Sequence, residues 1–206
     1  MREFTRHKGV AAPIIRNNID TDAIIPSVEM KRVSKKGLSS GLFAGWRYTD
    51  RIKRLPDPEF VLNRTAYKDA TILLGGKNFG CGSSREHAVW ALDEFGIRVI
   101  IAPSFGAIFR ANCIANGLVP ILLEADIVQQ LAKWVENDPQ VNRLEIDLGQ
   151  RNILAGQDLA FHFEMEDSDA EMLLNGWDPI ALTLRLDNQI AAFQESDKQL
   201  RPWVYL

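Results

Sequence analysis

The feature that most constrains this chain is the junction spanning residues 70–96. Ala70-Thr71-Ile72-Leu73-Leu74 is a short apolar run of the kind that forms a buried strand. From Glu86 to Phe95, the apolar residues Ala88, Val89, Leu92 and Phe95 recur at helical spacing, and Gly96 is suited to close the helix. Between the two lies a glycine-rich turn, Gly75-Gly76-Lys77-Asn78-Phe79-Gly80-Cys81-Gly82, followed by Ser83-Ser84-Arg85. The first turn of a helix carries unpaired N–H groups and a partial positive charge, and so attracts anions. Gly80 and Gly82 allow left-handed backbone and close approach of a ligand. Ser83 and Ser84 add hydroxyls, and Arg85 adds a planar fork matched to a carboxylate. The stretch reads as a carboxylate cradle.

Other glycine motifs fit poorly. A dinucleotide fingerprint needs glycine where Arg85 stands and an acidic residue about 20 positions on, where Pro103-Ser104-Phe105-Gly106 is found. A phosphate-binding loop wants Gly-Lys followed by Ser or Thr, and a hydrolase elbow centred on Ser84 needs glycine at position 86, which is Glu86. A tight turn capped by Ser83 or Ser84 accounts for the glycines and one serine, but not for Arg85 at the same mouth.

The remaining chain continues the alternation. Lys8 to Ile15 reads as an opening strand, which Pro13 assigns to a sheet edge. Arg98–Ala102 and Leu118–Leu123 read as further strands, with helices over 105–115 and 125–135. Such alternation predicts an α/β domain with parallel pairing at its centre, and ligands in such sheets bind beyond the carboxyl ends of the strands. The last third, 141–206, reads as strands over 141–148 and 152–163, then helices over 168–175 and from 179 through 186. An apolar stripe of Leu182, Leu186, Ile190 and Phe193 runs on from there, and an aromatic tail is expected to pack on its own domain. Segment 27–58 is basic, predicted as a short helix over 27–36 and then a loop, either a solvated face or a mobile lid. One domain over 1–206 is the expectation.

Composition narrows the classes. A net charge of −3 gives no electrostatic case for nucleic acid or an anionic membrane. Two cysteines, Cys81 and Cys113, make no disulfide framework and suit a reducing cytoplasm. The first residues lack the apolar core of a signal peptide, and no run is long enough to span a bilayer. Three histidines, His7, His87 and His162, show no metal-ligand spacing.

The stretch Asn78–Ala88 resembles the signature of the aconitase swivel-domain family. The resemblance extends through Arg98–Phe109, Asn112–Leu118 and the early Asn18-Ile19-Asp20-Thr21-Asp22-Ala23-Ile24-Ile25-Pro26. It implies a swivelling β/β/α domain with a parallel-centred sheet and flanking helices. It implies a hydro-lyase that isomerises 2-isopropylmalate and 3-isopropylmalate through isopropylmaleate in leucine synthesis. Citramalate, dimethylmalate or homoaconitate are alternative substrates, and a carboxylate-binding module without catalysis is the rival of another class. By resemblance, Ser83, Arg85 and Asp22 are catalytic, with Ser83 the base, and Ser84, Gly82 and Arg47 bind substrate; side-chain chemistry alone does not rank the two serines. Asp20 is read as structural. Loss of hydroxide needs a Lewis acid, and two thiolates are too few for an iron–sulfur cluster. The resemblance places a four-iron four-sulfur cluster on a partner large subunit, no metal in this chain, and an active site shared between the two.

Overall fold

A computed structural model describes residues 1–30, 34, 36–82, 85–157 and 159–205. In chain order the elements are β1 (Arg6–Ile14), α1 (Thr21–Ile24), α2 (Ala44–Arg47), β2 (Tyr48–Asp50), β3 (Leu55–Pro56), β4 (Ala70–Gly75), α3 (Glu86–Phe95), β5 (Val99–Ala102) and α4 (Ala107–Asn116). Then come β6 (Val119–Leu122), α5 (Ala125–Asn137), β7 (Leu144–Asp147), β8 (Asn152–Ala155), β9 (Leu159–His162), α6 (Asp167–Asn175), α7 (Pro179–Leu184) and α8 (Asp187–Leu200).

Seven strands form one mixed sheet in the order β6-β5-β4-β1-β7-β8-β9. The β6, β5, β4 and β1 pairings are parallel, as the strand–helix alternation requires, and β1, β7, β8 and β9 pair antiparallel. The parallel strands are buried on both faces, which is why they read as unbroken apolar runs. On β4, Leu73 packs into the layer holding α3 and α4, whereas Ile72 and Leu74 join the opposite layer with α5 and the antiparallel strands. The helix α3 ends at Gly96 in the left-handed region, with its N–H on Asp93 and Leu92 carbonyls.

Four expectations are corrected. The strand β1 lies inside the sheet, not at its edge: β7 pairs only with Arg6–Gly9, and β4 with Val10–Ile14. Pro13 therefore sits where the strand has a single neighbour, so its missing N–H removes no bond on the β7 side. The 152–163 segment is two strands, β8 and β9, reversed at Gly156 with φ +75°. The helix expected over 27–36 is a 3-10 turn at Ser27–Glu29 among the described residues; Lys31, Arg32, Val33 and Lys35 lie outside them. The helix expected through 186 stops at Leu184, and a separate helix, α8, continues to Leu200. In the tail, Tyr205 folds back to donate its hydroxyl to Asp197 Oδ2 at 2.8 Å, whereas Trp203 stays exposed.

Candidate active site

Three loops leave the carboxyl ends of the adjacent strands β1, β4 and β5 and are stitched together by their backbones. The Gly80 N–H donates to Ile19 O at 2.7 Å, Thr21 N–H to Cys81 O at 3.0 Å, and Asn18 N–H to Lys77 O at 2.8 Å. On the other side, Phe79 N–H donates to Ser104 O and Gly106 N–H to Phe79 O, each at 2.9 Å. Side chains complete the seam: Asn17 Oδ1 accepts from Lys77 N–H at 2.8 Å, and Ser104 Oγ accepts from Asn78 N–H at 2.7 Å. The glycine-rich turn is thus held rigidly in the crevice where an open parallel sheet presents its ligand site.

The turn's glycines do two different things. Gly82 takes φ +87° with only Asp20 Cβ near the position of an added Cβ, at 3.4 Å. Gly80 takes φ +72°, but a Cβ there would overlap the Phe109 ring. Its close approach is to the core, where Phe79, Phe105 and Phe109 form an aromatic cluster. Gly80 is required by packing as well as by backbone angle.

Arg85 stands immediately before α3, and its Nη1 donates to Asp22 Oδ1 in an ion pair. Asp22 lies in the first turn of α1, capped by Asp20, whose Oδ1 accepts the Ala23 N–H at 2.6 Å. That is the structural role expected of Asp20. The Asp22 side chain is 54% exposed and that of Arg85 24%. Beside the pair opens a cleft of about 170 Å³ lined by Thr21, Gly80, Cys81, Gly82, Arg85 and the 106–109 turn into α4. Of the residues singled out from sequence, the structure brings Asp22, Gly82 and Arg85 together here; Ser83 and Ser84 lie outside the described residues.

Arg47 is elsewhere. Its Nη1 donates to Ser39 O at 2.9 Å and its Nε to Asn63 Oδ1 at 3.3 Å, with the guanidinium 4.8 Å from the Phe95 ring centre. Burial lowers its pKa. Phe95 ends α3, so Arg47 sits at the far end of that helix from Arg85. Nearby, the Glu94 carboxylate accepts the N–H groups of Gly37, Leu38 and Ser39 at 2.6, 2.5 and 2.7 Å, tying the basic segment to α3. The cleft wall includes Thr21, which the resemblance placed beside Asp22 at the site, and Ile108, which sequence reading missed and which nothing local flags.

The other chemical candidates have structural surroundings. His87 packs against the Trp90 ring with centroids 4.8 Å apart. Cys113 is buried, which pushes its thiol pKa well up, and it and Cys81 are both free thiols. Among the described residues no three His, Cys, Asp or Glu side chains are placed to hold a metal ion, and no helix is long and apolar enough to cross a membrane.

The sequence model of the aconitase C-terminal domain matches residues 1–126. The chain belongs to the aconitase C-terminal domain family. It is 56% identical over 205 residues to a 3-isopropylmalate dehydratase small subunit from Cupriavidus necator, covering 100% of this chain and 99% of that one. It is 44% identical to the protein of the same name from Marinobacter nauticus, covering 100% and 98%. The crystal structure of 3-isopropylmalate dehydratase from Methanocaldococcus jannaschii superposes with a TM-score of 0.65 at 28% identity, covering 92% of this chain and 99% of that one.

Proposed function

We propose that this chain is the small subunit of 3-isopropylmalate dehydratase. With a large subunit, in the cytoplasm, it interconverts 2-isopropylmalate and 3-isopropylmalate through isopropylmaleate, a step of leucine synthesis. The observation that carries this reading is the Arg85–Asp22 pair at a cleft beyond β1, β4 and β5, in a chain similar along its whole length to proteins of that name.

In this reading the Arg85 fork takes a substrate carboxylate in place of Asp22. An exposed ion pair contributes little, about 0–1 kcal/mol, so the exchange of partner is inexpensive. Gly82, without a Cβ, leaves the backbone open to the bound acid, and Ser84 supplies a hydroxyl to it. Ser83 removes the proton from the carbon next to the carboxylate. Its hydroxyl is a weak base in water, and the Arg85 charge and the start of α3 favour the alkoxide that does this work. When bound on the large subunit, a four-iron four-sulfur cluster supplies the Lewis acidity for departure of hydroxide. A cleft of about 170 Å³ is well below the roughly 300–1,000 Å³ of enclosing ligand sites, which supports a second wall supplied by the large subunit.

The test is to mix the purified chain with a cluster-bearing large subunit and follow isopropylmaleate absorbance across a panel of hydroxy-diacids. Turnover of 2-isopropylmalate by the pair, and none by this chain alone, is the expected result. Preference for citramalate, dimethylmalate or homoaconitate would reassign the substrate, and absence of any turnover would leave a binding module. Ser83→Ala should slow kcat by about a hundredfold to ten-thousandfold while the pair still assembles.

A further inference from the structure

The family match ends at residue 126, yet similarity to the separate small subunits runs through the full chain. Most of the chain beyond residue 126 is packed: β7, β8 and α6 contribute Leu144, Ile153, Met172 and Leu173 to the second core layer, and Leu159 and Phe161 of β9 pack against it. The exception is the arm 179–205. Among its described residues Asp197 is the one buried side chain, and it is covered by the arm's own Arg201 and Tyr205.

The base of the arm is pinned. On α7, Leu182 packs against the second core layer, and Arg185 pairs with Glu171 and lies 4.5 Å from the Trp177 ring centre. The opposite side of α7 presents Ile180 and Leu184, 69% and 64% exposed. Beginning at Leu186, which caps α8, Ile190, Phe193 and Leu200 follow at steps of four, three and seven residues, a spacing that places them on one stripe of that helix. Phe193 is 62% exposed. An isolated helix of this length is marginal in water and takes its stability from packing of an apolar face. Among the described residues that face lies largely in solvent.

We propose that the arm 179–205 is the docking element for the large subunit, with Ile180, Leu184 and Phe193 as its apolar anchors. The inference rests on the functional reading above. A domain joined covalently to its catalytic partner works at an effective concentration in the millimolar range, whereas a separate subunit must replace that tether with contact area. The arm's length falls within the roughly 20–30 residues that one side of a stable interface uses. It begins where the packed elements of the chain end, just after α6. Aromatic residues such as Phe193 are enriched at such interfaces, where a few buried anchors carry most of the energy.

The experiment titrates full-length chain, wild type and Phe193→Asp, against the large subunit, reading both half-saturation of activity and exchange of backbone amides over 187–200. Phe193 is exposed, so the variant should fold with unchanged thermal stability. The expected result is at least about tenfold weaker association with kcat at saturation unchanged, and slow amide exchange in α8 only when the large subunit is present. Ile180→Asp should do the same, and Ile52→Asp, an exposed apolar residue in the β2–β3 hairpin, should not. Equal half-saturation for wild type and Phe193→Asp, or α8 amides unprotected in the complex, overturns the proposal. So does a wild-type self-associated form that Phe193→Asp dissolves without loss of large-subunit affinity, which would assign the face to a second copy. Failure of the wild-type chain to activate any large subunit instead removes the functional reading itself.

Discussion

The Arg85 guanidinium and the Asp22 carboxylate, 63 positions apart in sequence, meet in an ion pair at the mouth of the cleft. The pair joins the loop after β4 to the short helix after β1, so the Arg85 fork is held by a neighbour that follows a different strand.

Replacing Arg85 by lysine keeps the charge but loses the planar fork. We expect kcat/KM of the reconstituted enzyme to fall at least about tenfold, with weaker substrate binding. Asp22→Asn should lower kcat/KM as well, because the fork loses its aim, while thermal stability shifts by no more than about 1 kcal/mol, the contribution of an exposed pair. Steady-state kinetics and thermal melts check both; an unchanged kcat/KM in Arg85→Lys would remove Arg85 from the site.

Gly80→Ala should destabilise the chain by about 1–3 kcal/mol, the cost of overpacking, since its Cβ would overlap the Phe109 ring at a positive φ. The effect should be coupled to Phe109. In a double-mutant cycle with Phe109→Ala, denaturant melts should show the two changes to be non-additive, because the smaller side chain removes the overlap.

Glu94→Ala removes the acceptor for three consecutive N–H groups, those of Gly37, Leu38 and Ser39. Amide exchange over 37–39 should accelerate, and the segment should become a proteolytic site, with the α3 core unaffected. Burial opposes ionisation of Glu94, but the backbone bonds from Gly37, Ser39 and Leu38 bring its pKa below the ordinary 4.5. The anchor is therefore intact above that value, and it weakens as pH falls through the lowered one.

His7 Nε2 lies 2.7 Å from Thr71 Oγ1, in space that Gly9 leaves clear. Burial, with Arg98 and Arg2 adding to it, holds the His7 pKa below its ordinary 6.5. The unfolded chain therefore binds this proton more readily than the folded one. Its contribution to stability is complete above about pH 6.5 and is lost as pH falls through the lowered value. Thermal midpoints measured from about pH 7.5 to 5 should decline in the wild type and flatten in His7→Asn. An equal decline in the variant would assign the loss to other groups.

How much of this was legible depends on the reach of the interaction. The β4–turn–α3 junction was legible because it is local: an apolar run, glycines at positive φ, helical spacing and a glycine cap lie within 27 consecutive positions, 70–96. The same is true of α4, α5 and α6, whose apolar periodicity survives in the fold. The basic segment was less legible, because its geometry is set by distant partners. Arg47, a substrate-binding candidate by resemblance, is engaged by Ser39, Asn63 and Phe95, none of which is near it in a helical or strand repeat. Pro13 pointed to an edge strand, and only the register of β1, shared end to end between β7 and β4, reconciles proline with an interior strand.

The sequence by itself determined that a strand would run through glycines into a helix whose start bears a cationic fork, because local sterics and hydrogen bonding act over a few residues. Only the tertiary structure decided which acid faces that fork, which aromatic makes Gly80 indispensable, and which apolar helix is left without cover. Those depend on how strands distant in the chain align, Val10 beside Ala70 and Ile72 beside Val99, a choice made by burial across the whole sheet.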